Sequence, residues 1–190
     1  TILEDTIMKM FKKLMAVALA GVMALAVLTG CGSTLNEKEL IKQMNDQLTI
    51  SSMTNSSYKG FKEFKADKEM DAKAETIAKK VAEKAKTQAE IETVLKSDEV
   101  KEIVLGKDDT NVYMISYVKS VSFGSKYYKT NKDMVDLGVI ERNATSHFDS
   151  TALVGRETKD AVVGVGFADA TVGDSVYTIV VMKVPTQKKA

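Results

Sequence analysis

Apolar side chains recur along this chain at two spacings, first every three or four residues and later in denser β-branched and aromatic runs. Leu40, Ile41, Met44 and Leu48 alternate with charged positions, which predicts an amphipathic helix from about Asn36 to Leu48. The polar run from Thr49 to Ser57 predicts a loop. The strongest stripe follows: Met70, Ala74, Ile77, Ala78, Val81, Ala82 and Ala85 share one helical face, with Asp67 placed to cap it. Because that stripe is rich in alanine, it allows a close approach by whatever packs on it. Thr87-Gln88-Ala89-Glu90 has capping-box spacing before Ile91, Val94 and Leu95, and a further short helix is predicted over Asp98 to Leu105, closed by Gly106.

The pattern then changes. Val112, Tyr113, Met114, Ile115, Tyr117, Val118 and Val121 form a run of strand type. Thr130 is read as the cap of a helix carrying Met134, Val135 and Leu137 and stopping at Gly138. Two strands close the chain, Ala161 to Phe167 and Ser175 to Val184, joined through Gly173-Asp174 as an antiparallel hairpin. Helices first and strands late, without an internal repeat, predict an α+β fold in a single domain.

Ahead of these elements lies a different kind of segment. Lys9, Lys12 and Lys13 precede an apolar run from Leu14 to Leu28, the layout of a secretory signal and too short for the ~20 residues of a membrane span. Leu28-Thr29-Gly30-Cys31 resembles the lipobox of bacterial lipoproteins, in which the cysteine becomes the lipidated first residue. Residues 1–30 are therefore expected to be removed: Thr1 to Ile7 as upstream sequence, the rest as signal peptide starting at Met8 or Met10. Residues 31–34 would be the lipidated Cys31 and a short tether, and residues 35–190 the domain. If that tether is extended, the domain stands within about 14 Å of the membrane. The expected location is the outer face of the cytoplasmic membrane, with the lipid on Cys31 as the contact.

Composition narrows the partners. Residues 1–30 hold three of the 27 basic and two of the 26 acidic residues, so the remainder carries 24 of each. That balance gives no basic cluster to neutralise phosphate, which excludes nucleic acid as the expected partner. Cys31 is the single cysteine, so an exported domain would hold together by packing, without a disulfide. Arg142 and Arg156 are the only arginines, a lysine bias that suggests a low-GC, Gram-positive source.

Gly60-Phe61-Lys62-Glu63-Phe64-Lys65-Ala66-Asp67-Lys68-Glu69-Met70, leading into the helix with Ala74 and Ala78, resembles the opening signature of the CAP superfamily, the SCP/PR-1-like domain. Asn45 at the end of the first helix is similar to the family's asparagine, although Leu48 stands where an arginine is expected. Ser146-His147, Leu153, Val163-Gly164-Val165-Gly166-Phe167 and Val176 to Val181 resemble its serine-histidine segment, glycine-bearing strand and final strand. The resemblance spans about Leu35 to Val184, lacks a Glu-Asn element, and implies an α-β-α sandwich. It also implies a cleft in which His147, Ser146 and Glu141 would lie.

The chemistry available to that cleft is sparse. Some family members hold a metal with two histidines and two acids, whereas His147 is alone here, so neither a metal nor another cofactor is expected. His147 beside Ser146, with Asp149 and Glu141 near in sequence, also fits a hydrolase reading, since imidazole can serve as a base for a hydroxyl. Chain neighbours rarely face each other in the required way, so a structural or cleft-lining His147 is the preferred expectation. Gly164-Val165-Gly166 lacks the later glycine and following helix of a phosphate loop and is read as a site of close backbone approach. Asn143-Ala144-Thr145 and Asn55-Ser56-Ser57 match a glycosylation acceptor by chance. Tyr113, Tyr117, Tyr127 and Tyr128 are candidates for either a groove or the core. The expected function is a non-catalytic binding module for a small apolar ligand, an envelope component or a protein partner. A hydrolase and a structural envelope spacer are the alternatives.

Overall fold

The computed structural model describes residues 37–54, 57–106, 110–119 and 136–190. Cys31 and the signal-like segment therefore lie outside the described residues, as do Val121, Tyr127, Tyr128, Thr130, Met134 and Val135. The described elements are helices and a mixed sheet, the α+β class that the sequence pattern predicts.

Helix α1 spans Glu37–Met53 and buries Leu40, Met44 and Leu48. It runs past Leu48, correcting the loop expected from Thr49. Local hydroxyls explain the extension, because Ser52 Oγ donates to the Thr49 carbonyl at 3.1 Å and Thr54 Oγ1 to that of Ser51 at 2.7 Å. The last carbonyls of the helix thus find donors without a buried apolar face. Strand β1, Phe61–Ala66, was not foreseen from the spacing. Its apolar residues sit three apart, and a bulge between Phe61 and Glu63 brings both Phe61 and Phe64 to the core.

Helix α2 spans Lys68–Lys84 and buries Met70, Ala74, Ile77, Ala78 and Val81. Asp67 caps it as expected, accepting from Glu69 N at 2.8 Å and Met70 N at 3.4 Å. Helix α3, Gln88–Leu95, opens with Glu90 reaching back to Thr87 N at 3.2 Å. Helix α4, Asp98–Leu105, closes at Gly106, where φ is 51°. Strand β2 is Asn111–Lys119. Helix α5 is Leu137–Arg142, and here the expectation is corrected: Asp136 caps it by accepting from Gly138 N at 2.7 Å. Gly138 therefore stands in its first turn rather than at its end. Strands β3 (Thr145–His147), β4 (Arg156–Glu157), β5 (Ala161–Val172), β6 (Ser175–Pro185) and β7 (Gln187–Lys188) complete the order.

Five strands form one sheet in the order β1-β5-β6-β2-β3, while β4 and β7 pair separately. β5 and β6 are the expected antiparallel hairpin, turning on Gly173 with φ 58°. β1 lies parallel to β5, and β2 is antiparallel to both β6 and β3. Alternation along the strands divides the buried residues between two clusters. On one face Tyr113, Ile115, Ala168, Ala170, Ile179 and Val181 meet α2, α3 and α4. On the other, Met114, Val163, Val165, Phe167, Val180 and Met182 meet α1, α5 and the Tyr58 turn.

Side chains complete the sheet where strands stop. Both backbone groups of Phe64 are taken by the Asn45 carboxamide, which donates to its carbonyl at 3.0 Å and accepts from its N–H at 2.8 Å. Beyond the end of β1, Asp67 N donates to the Val165 carbonyl at 3.0 Å, and the Asp71 carboxylate accepts from Phe167 N at 3.2 Å. Beyond β3, Asn143 Nδ2 donates to the Tyr117 carbonyl at 2.9 Å. The Asn143 carboxamide is thus committed to the fold.

Candidate functional site

One row of residues crosses the sheet under the α2 to α4 layer. Gly164 lies opposite Lys183, Lys183 opposite Tyr113, and Tyr113 opposite His147. Residues paired across antiparallel strands share a face, so this row places an imidazole, a lysine, a phenol and a glycine beneath the helix ends. Above Gly164 sits Asp67, whose Oδ2 would be 2.5 Å from a Cβ added there. At Gly166 the approach is closer still: an added Cβ would lie 2.1 Å from the Met70 carbonyl carbon and the Asp71 nitrogen. The pair of glycines lets the start of α2 rest directly on β5, as the sequence suggested.

Charged groups beside and within the row meet helix ends or pair with one another. Lys73 Nζ donates to the Ile103 and Val104 carbonyls at 3.1 and 2.7 Å, near the C-terminal end of α4. It also pairs with Glu69 at 3.4 Å and lies 5.1 Å from the Tyr113 ring centroid. A cation is favourable at the carbonyl end of a helix, which explains why a lysine is tolerated so far from solvent. Lys183 meets the same Glu69 at 3.4 Å. Farther out, Lys80 and Lys84 bond Glu99 across α2 and α4, and those bonds, that from Lys80 first, lower the Glu99 carboxyl to about 2.

His147 is buried at 7 % exposure, and its Nε2 lies 2.8 Å from the Leu95 carbonyl at the end of α3. A carbonyl can only accept, so Nε2 carries the hydrogen and the ring clamps edge strand β3 to α3. Ser146 is the next residue on the strand and projects to the opposite face, where it is exposed. Glu141, on α5, accepts from Ser57 N at 2.5 Å. The structure thus brings His147 to Leu95 and Glu141 to Ser57, with Ser146 on the opposite face of β3 from His147. Nearby, burial first and then the charges of Glu141 and Asp136 push the Tyr58 phenol upward, and its hydroxyl donates to the Leu137 carbonyl at 2.7 Å.

A hollow of about 390 Å³ lies against α4, lined by Asp98, Lys101, Glu102, Leu105 and Gly106. His147 is not among its walls. No group of three or more His, Cys, Asp or Glu side chains is placed to hold a metal ion among the described residues. No described helix is long and apolar enough to cross a membrane. Sequence reasoning missed Lys73 and the Leu95 carbonyl as the helix groups that meet the row, at Tyr113 and His147. The Glu69–Lys73 spacing was a signal for an ion pair, but not for the burial of the lysine stem beneath α4. No family model, curated protein or solved structure matches the chain.

Proposed function

We propose that this chain is a lipoprotein anchored through Cys31 at the outer face of the cytoplasmic membrane, and that its domain is a divergent CAP-like fold acting as a non-catalytic binding module. Its ligand class is a small apolar molecule, an envelope component or a protein partner. Leu28-Thr29-Gly30-Cys31, following the basic start and the apolar run, carries the anchoring part of the reading. The CAP-like part is supported by helices on both faces of the sheet and by the order of the Asn45, Asp67 and Gly164-Val165-Gly166 blocks. Leu48 in place of arginine and the parallel pairing of β1 with β5 are features that a divergent member would have to accommodate.

The non-catalytic part rests on the engagement of His147. Its Nε2–H is committed to Leu95 O, and Ser146 lies on the other face of the strand, so His147 does not serve that hydroxyl as a base. Replacement of Cys31 by serine tests the anchor: the variant should no longer incorporate radiolabelled palmitate, and should appear in the medium or remain on an uncleaved signal. Membrane retention of a processed, unlipidated Cys31→Ser protein would sink the reading, because stable attachment takes two or more acyl chains or an equivalent second signal. The domain should also leave ester and peptide substrates unchanged. Turnover that disappears in a folded His147→Ala variant would replace the binding module with a hydrolase.

A further inference from the structure

We draw no further inference here: the strongest candidate, the exposed apolar pair Ile50 and Met53 on the last turns of α1, is an unpartnered surface patch, and nothing in the structure shows what covers it.

Discussion

The two faces of the sheet are held by opposite means. Beneath α2, the contact is made of small residues: Ala74, Ala78 and Ala85 on the helix side, Gly164, Gly166, Ala168 and Ala170 on the strand. Beneath α1 and α5 it is made of large ones, with Tyr58, Phe61 and Phe64 packed edge to face at centroid distances of 5.6 to 6.1 Å. The bonding differs as well. On the first face, charged side chains reach helix termini, as Lys73 does at α4. On the second, neutral side chains reach backbone groups of other elements: Asn45 to Phe64, Gln47 to Leu137, Ser116 to Ile140. A face made by removing side chains resists enlargement, and a face made by filling space resists truncation.

The largest expected effect is therefore at Gly166. A Cβ added there would lie 2.1 Å from backbone atoms of α2, which cannot rotate aside as a side chain would. Gly166→Ala should cost at least ~3 kcal/mol, at or above the usual range for overpacking, and Gly166→Val should abolish the cooperative transition in thermal denaturation. A Gly166→Ala protein melting within a degree or two of wild type would show that α2 is not seated on β5 as described.

On the other face the sharper probe is Asn45. Asn45→Ala leaves both Phe64 groups without their partner in a half-buried place and should lower stability by about 2 kcal/mol in urea denaturation. Asn45→Asp keeps the acceptor for Phe64 N but sets a carboxylate against the Phe64 carbonyl. It should be no better than alanine at neutral pH and recover as the carboxylate is protonated. Equal stability of all three proteins would remove the carboxamide clamp from the account of this face.

The smallest effect separates charge from hydrogen bonding at Asp71. Burial raises its carboxyl above the ordinary value, Phe167 N works against that, and the charges of Asp67 and Glu75 add to the rise. A folded-state value above the unfolded one means stability that is complete below the unfolded value and is lost as pH rises through the folded one. Glu37 is shifted in the same direction, by burial and then by Asp71. Asp71→Asn retains an oxygen for Phe167 N while removing the charge. It should raise the melting temperature by about a degree or two at neutral pH and have no effect below the carboxylate range. A variant that melts lower at pH 7 would mean the ionised carboxylate is an essential acceptor.

These contrasts also mark what was legible in the sequence. The Asp67 cap and the Thr87 to Glu90 box are each written within four consecutive residues and the β5–β6 hairpin in one unbroken stretch, so local spacing reveals them. β1 was hidden because a bulge breaks its alternation, and because its parallel partner lies about 100 residues away, beyond any local pattern. The role of Gly138 was misassigned because it reads equally as a stop or as a first-turn residue, and Asp136 decides which. At the candidate site, the burial of His147 follows from β3 pairing with β2, and its partner is a main-chain carbonyl, which leaves no signature in a sequence.

Asn45, Asp71 and Asn143 have one further consequence, which concerns neighbours rather than this molecule. Each occupies a main-chain group that a passing extended segment would need in order to add itself to the sheet: at Phe64, at Phe167 and at Tyr117. Exposed strand edges are the usual seeds of runaway self-assembly. Here short amide and carboxylate side chains stand in for the missing strand, and strand β3, only three residues long, offers little length for pairing. An extended segment approaching Phe64, Phe167 or Tyr117 therefore meets main-chain groups that already have partners.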